Sequence, residues 1–538
     1  MVGWMMMLLA LPVMRLGLFM ALPGGGRGQP GEDREPDQAA GNEPTAEGID
    51  HPAWARFGDD AAPPAPRATT RRVFVGGRDL TYQATVGLLP IRGEDGSVDA
   101  RLFYTAYTLG DGDGNGDRSR ERPLMFSFNG GPGSSSVWLH LGGLGPRRVA
   151  VPADGAMPPP PFRVTANEQT WLETSDLVFI DPVDTGYSRA RTAAIGRRLR
   201  TVEGDVAAIG EFIRLYLTRE RRWGSPLFLV GESYGTFRAA ALAGYLIERG
   251  VAFIGLVLVS SVLDVGTVEF HPGNDLAYPL ILPTYCAIAW YHGRLDPALQ
   301  ARPLPEVMAE VGEWAIADYL PALARGAGLA AERRRAVVER LGRYTGLTPT
   351  VIEQSNMRVE INRFRQELLR PEEKTVGRLD GRFAGYDPAP VEARRHFDPS
   401  LAAIRPPFTA ALNDYLRSDL GYETDDEYQI LRELEWGWGS AAAGYPTATV
   451  ALADAFAKNP YLRLFVASGW YDLATPWFAT DYTLAHLALS ASARQSIQTH
   501  SYPVGHMVYL EEAALVALKK DVAAFVGAAV GQEARPLR

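Results

Sequence analysis

The stretch Leu227-Phe228-Leu229-Val230-Gly231-Glu232-Ser233-Tyr234-Gly235-Thr236 decides how this chain is read. Four apolar residues lead into a Gly-x-Ser-x-Gly turn, and a small-residue helical pattern, Thr236 to Arg249, leads out. Strand, tight turn and helix in that order make Ser233 a candidate nucleophile, because such a turn lifts the hydroxyl clear of the sheet edge. The flanking glycines, Gly231 and Gly235, suit it, since a Cβ at either position would crowd so sharp a bend. The helix that follows points backbone N–H groups at the reacting carbon.

Working outward, the neighbouring segments supply the rest of a parallel sheet. Pro123 to Phe128 reads as a strand running into Asn129-Gly130-Gly131-Pro132-Gly133-Ser134-Ser135-Ser136. No Lys-Ser/Thr follows at the spacing a phosphate loop needs. A glycine-rich turn with open N–H groups fits an oxyanion hole instead, where two donors must lie about 3 Å from the developing charge. Leu177 to Ile180 and Ile254 to Ser260 read as further strands, with a helix expected over Arg198 to Arg222. Alternating strands and helices predict a mostly parallel central sheet wrapped on both faces.

Upstream, Val73-Phe74-Val75, Leu80 to Leu89 and Ala100 to Leu109 read as an antiparallel entry to the sheet. The run Asp111 to Asp117 mimics the start of a calcium loop, but its twelfth position is Arg122, so a hairpin loop is expected. Residues 24–70, rich in Gly, Pro, Ala and acids, read as a disordered leader. The apolar residues 1–23, interrupted by Arg15 and closed by Pro23, read as an export signal; the pieces on either side of Arg15 fall short of the about 20 apolar residues a membrane span needs. Periplasmic or secreted localisation and no stable membrane partner follow.

Alternation stops at 265–445, where helical patterns dominate: Leu280 to His292, Pro305 to Ala324, Ala330 to Tyr344, Thr348 to Gln354, Ile361 to Leu369 and Thr409 to Leu416. This reads as a helical cap inserted between core segments 71–264 and 446–538. Its tryptophans, Trp290, Trp314, Trp436 and Trp438, are expected to pack rather than to line a site. The sheet resumes at Leu462 to Ala467 and ends with Ser496 to Tyr502, before a closing helix, Glu511 to Val526.

Composition narrows the function. The net charge of −9 argues against a nucleic-acid surface. The single cysteine, Cys286, excludes an internal disulfide and a C-x-x-C zinc site, and reads as a buried hydrophobe. No cofactor and no metal are expected. A serine nucleophile needs a base, and the base an orienting carboxylate. Asp472 follows the first strand after the cap, and His506 follows the next, on Pro503-Val504-Gly505-His506-Met507. The order Ser, Asp, His along such a sheet supports both. His500, the competitor, falls within the strand.

Asn129 to Ser136, Gly231 to Gly235 and Gly505-His506-Met507-Val508 together resemble the serine carboxypeptidases, peptidase family S10, over most of residues 71–530. The resemblance implies an α/β-hydrolase fold with a helical insertion and release of C-terminal residues from peptides. It implies Ser233 as nucleophile, His506 as base and Asp472 as its orienter, with the N–H groups of Gly131 and Tyr234 as oxyanion hole. It further implies that Asn129, Gly130 and Glu232 grip the substrate's free carboxylate, with the Glu232 acid working best while protonated. An esterase or acyltransferase, or a non-catalytic binding protein, are the other readings the fold allows. Three departures stand out: the Phe-Glu-Leu-Gly-Pro segment of many members is Gly142-Gly143-Leu144-Gly145-Pro146, so Gly143 stands where a second acid would be; Trp-Leu before the asparagine is Ser127-Phe128; and the usual cysteine is Ser134. The last two, with the missing disulfides, suit a bacterial-type member.

Overall fold

The computed structural model describes residues 64–93, 95–109, 121–387, 397–438 and 444–531. The stretch read as an export signal, most of the stretch read as a leader and the run Asp111 to Asp117 lie outside the described residues.

Three long strands, β1 (Arg67–Val75), β2 (Arg78–Arg92) and β3 (Val98–Leu109), form the antiparallel entry. The first begins at Arg67, within the stretch read as leader: Arg67 to Thr70 pair with Val86 to Gln83, and the β-branched Thr69 and Thr70 suit a strand. The sheet continues with β4 (Leu124–Phe128), β5 (Asp176–Ile180), β6 (Leu227–Ser233), β7 (Gly255–Ser261), β8 (Arg463–Gly469) and β9 (Ile497–Tyr502). Their spatial order is β1-β2-β3-β5-β4-β6-β7-β8-β9, and every pair from β5 onward in that order is parallel.

Both faces of this sheet are buried, and side-chain alternation divides them. Phe228 and Val230 of β6, Val257 and Val259 of β7, and Phe465 and Ala467 of β8 face one apolar core. Leu227 and Leu229, Leu256 and Leu258, and Leu464 and Val466 face the other. That period of two in strands apolar throughout is what a doubly covered parallel sheet requires. Helices α1 (Val202–Arg219) and α2 (Tyr234–Ile247) cover the second face.

The expected helix over Arg198 to Arg222 is broken. A short helix ends at Leu199, Thr201 caps α1 through Gly204 N (3.0 Å), and the backbone of Arg200 and Val202 pairs with Gly437. A distant segment thus supplies the hydrogen bonds that a continuous helix would have made for itself.

Between β7 and β8 the chain is largely helical, with α3 (Ala277–Tyr291) and α4 (Ala331–Thr345) sharing an apolar core that contains Cys286. The cysteine is fully buried, which pushes its thiol up to about 12. The helix expected to begin at Thr409 begins ten residues earlier as α5 (Pro399–Asp414), because Asp398 caps it through Ser400 N and Pro399 occupies its first position. Pro406 and Pro407 lie inside it. After β8, α6 (Trp477–Ala485) precedes β9, and α7 (Glu512–Val530) closes the chain against the first face. The loops after β4, β6, β8 and β9 all leave from the carboxyl ends of parallel strands, where open α/β sheets place their sites.

Candidate active site

Ser233 ends β6 with φ 59° and ψ −130°, a conformation a side-chain-bearing residue rarely adopts. The surroundings enforce it. A Cβ on Gly231 would lie 2.1 Å from the Gly235 carbonyl oxygen, and one on Gly235 would lie 2.7 Å from that of Phe128. Gly130 is pressed onto the same turn: its Cβ would fall 2.4 Å from Tyr234 N. The glycine-rich loop after β4 therefore rests directly on the first turn of α2, whose leading N–H groups have no partner within the helix. Gly130, Gly131 and Tyr234 line the same cleft as Ser233.

An arginine that the sequence did not single out locks this junction. Arg238 donates from Nη1 to the Asn129 carbonyl (2.7 Å) and from Nε to Asp205 Oδ2 (2.6 Å). Its guanidinium is fully buried and lies about 5 Å over the rings of Phe128 and Tyr234 (5.3 and 5.2 Å).

His506 follows β9 and is held at three points. Its backbone N donates to Leu379 O (2.6 Å), its carbonyl accepts from Ser260 Oγ (2.6 Å), and its Nδ1 donates to Asp472 Oδ2 (2.7 Å). An ionised carboxylate only accepts, so the proton sits on Nδ1 and Nε2 keeps its lone pair. Asp472 is fully buried and also accepts from Ala474 N (2.8 Å), Thr475 N (3.1 Å) and Thr475 Oγ1 (2.6 Å). Burial alone would lower the imidazole pKa; the charge and hydrogen bond of Asp472 outweigh it and raise it. Ser233 and His506 open on one cleft of about 650 Å³. His500 is elsewhere, stacked on Phe465 with Nδ1 3.2 Å from Asp521 Oδ2.

Beside Ser233, Glu232 is buried and accepts a 2.5 Å hydrogen bond from the Tyr509 hydroxyl. Asn129 is a hydrogen-bond partner of both. Its Oδ1 accepts from Leu139 N (3.1 Å), which turns its amide nitrogen toward the pair. Burial pushes the Glu232 carboxyl up to about 7, against the His506 charge and the Tyr509 bond. Tyr509 also answers what stands beside Gly143. A Cβ there would lie 2.6 Å from Tyr509 Cβ, and one on Gly142 would lie 2.3 Å from Tyr509 Cε2. The phenol fills the space that the two glycines leave. The signal was present as adjacent glycines and a tyrosine three residues after His506, but nothing local links them.

Trp436 and Trp438 also depart from expectation. Their rings meet the Tyr234 ring edge-on at 5.2 and 6.0 Å, and both line the cleft. Trp314, by contrast, packs in the helical core as expected. Among the described residues no group of three or more His, Cys, Asp or Glu side chains could hold a metal, and no helix is long and apolar enough to cross a membrane.

The doubly covered sheet, the strained serine turn and the histidine on its last loop define an α/β-hydrolase fold. Residues 80–253 match the family model described as serine carboxypeptidase, Peptidase S10. Serine carboxypeptidase-like 51 of Arabidopsis thaliana is 30% identical over 115 residues, 21% of this chain and 22% of that protein. Pheromone-processing carboxypeptidase KEX1 of Saccharomyces cerevisiae is 39% identical over 111 residues, 20% of this chain and 13% of that protein. The matched stretches thus span less than a quarter of either relative's own length. The crystal structure of KEX1 from the same yeast superposes with a TM-score of 0.52 at 17% identity, covering 83% of this chain and 91% of that one; the likeness is one of fold.

Proposed function

We propose that this chain is a serine-type carboxypeptidase, releasing C-terminal residues from peptides through an acyl-enzyme on Ser233. In this reading Ser233 Oγ attacks the last peptide carbonyl while His506 Nε2 takes its proton, and Asp472 steadies the imidazolium. The N–H groups of Gly131 and Tyr234 receive the oxyanion. The protonated histidine then passes its proton to the leaving amine, and a water molecule, deprotonated by the same nitrogen, releases the shortened peptide. Asn129, Gly130 and Glu232 hold the substrate's free carboxylate.

The observation that carries the reading is Glu232: a buried carboxyl one residue before the nucleophile, beside Asn129 and bonded to Tyr509, in the cleft of Ser233 and His506. Such a group donates to a carboxylate while it is protonated and repels it once ionised. The test compares hydrolysis of a blocked dipeptide with that of its C-terminal amide. The acid should be cleaved and the amide far more slowly, and Ser233→Ala should abolish both the cleavage and fluorophosphonate labelling. Equal cleavage of acid and amide would point to an esterase-type site, and a wild-type chain that resists labelling to a non-catalytic fold.

Two finer points belong to the same proposal. Export rests on the apolar run before Pro23, and a bacterial-type placement rests on Ser134 and the lone cysteine.

A further inference from the structure

Three arginines on the lining of the cleft lie along one path of bonded segments. Arg378 N donates to Asp398 Oδ1 (3.1 Å), the cap of α5. Leu401 and Arg405, one turn apart on that helix, both reach the cleft. Arg405 Nη2 contacts the Leu431 carbonyl (3.4 Å), and Arg432 N donates to Gly133 O (2.9 Å), at the glycine-rich loop. The path thus runs from the His506 loop, which bonds Leu379, to the oxyanion loop.

These side chains are exposed and lack carboxylate partners. Among the described residues no hydrogen bond or ion pair holds the guanidinium of Arg378 or Arg432, and that of Arg405 meets only a carbonyl. Other arginines of the chain are matched, among them Arg382 with Asp380 and Glu511, Arg358 with Asp275 and Arg222 with Asp176. In a chain of net charge −9, three guanidinium groups without carboxylate partners fall on the lining of one opening. Glu433 is the one exposed acid on the same lining, and Glu232 is buried at its floor. An arginine fork matches a carboxylate in geometry as well as charge.

We infer that this wall selects substrates carrying a second carboxylate, an aspartate or glutamate side chain on one of the two residues flanking the scissile bond. The inference rests on the carboxypeptidase reading, in which Asn129 and Glu232 already take the α-carboxylate and leave the arginines for another anion.

Binding to the full-length Ser233→Ala chain, measured by calorimetry, tests it without turnover. The probes are N-acetyl-Phe-Xaa and N-acetyl-Xaa-Phe, with Xaa Glu, Gln or Lys. In one series Glu should bind about tenfold more tightly than its neutral isostere Gln, and Lys more weakly than Gln, with the ratio shrinking as salt rises. Adding Arg378→Ala, Arg405→Ala and Arg432→Ala together should erase the ratio; the single charge reversal Arg432→Glu, at an exposed position, should narrow or invert the order of Glu and Lys. Equal affinities for Glu and Gln in both series, or a ratio that survives the triple substitution, would overturn the inference. Wild-type hydrolysis of N-acetyl-Phe-Gln, scored separately, reports on the carboxypeptidase reading alone.

Discussion

A carboxyl group can grip a carboxylate only while it carries its own proton. Glu232 meets that condition up to neutrality, because burial pushes its pKa up to about 7. On the proposed reading, kcat/KM for a free peptide should fall as pH rises through about 7, while an ester lacking a free carboxylate keeps its activity there. On the acid side both should fall together as His506, raised above its usual 6.5, takes up a proton and ceases to be a base. The two groups face each other's charge, with Asp472 and Tyr509 beside them, so the limbs belong to a coupled set. Glu232→Gln should remove the alkaline limb for the peptide only. Tyr509→Phe deletes a bond that favours the ionised form, so the limb should move upward while KM rises, the carboxyl having lost its orienting donor. Profiles from pH 5 to 9 decide this; coincident alkaline limbs for peptide and ester would remove Glu232 from substrate binding.

At the scale of elements, the site depends on how α1, α2 and the loop after β4 are pinned together, and Arg238 does the pinning. It joins Asp205 of α1 to the Asn129 carbonyl from within α2, with Asp205 fully desolvated. Removing one member of such a pair leaves a buried charge, at a cost of about 3–5 kcal/mol. Arg238→Met should destabilise urea unfolding by that amount and raise KM for peptides through the loosened Asn129 loop. Asp205→Leu combined with Arg238→Met should recover most of the stability but not KM; equal recovery of both would show that the Asn129 anchor is dispensable. These elements also show what could be read in advance. The serine turn was legible because its strand, glycines and helix are contiguous, and Asp472 and His506 because each follows a strand in a fixed order. The break at Thr201 was not, because the backbone groups that pair with Arg200 O and Val202 N there belong to Gly437. Tyr509 was missed for the same reason: 277 residues separate it from Glu232. Trp436 and Trp438 carry no periodicity that tells a cleft wall from a core.

Across the whole molecule, the helical segment between β7 and β8 is attached in two ways. Its later part, with Ile404, Phe408, Tyr428 and Ile430, joins the apolar core of the sheet. Its earlier helices form a core of their own that meets the sheet side through Tyr471 and Leu473, the two residues flanking Asp472, and through Trp470 and Trp477. The link between those helices and His506 is short. Leu379 O holds His506 N, and Asp380 Oδ2 accepts from Gly505 N (3.1 Å). A core that is separate from the sheet's own and joined to it mainly through the segment 470–477 is the part expected to loosen first under denaturant, since apolar burial dominates local stability. When it loosens, His506 loses its backbone anchor and Asp472 its flanking packing while the sheet persists. Activity and fluorophosphonate labelling should therefore disappear at a lower urea concentration than the far-ultraviolet signal. Hydrogen exchange should show α3 and α4 opening in that interval, with β6 to β8 still protected. Coincident loss of activity, exchange protection and secondary structure would instead mean that the two cores unfold as one unit, bound together by the packing of Trp470, Tyr471, Leu473 and Trp477.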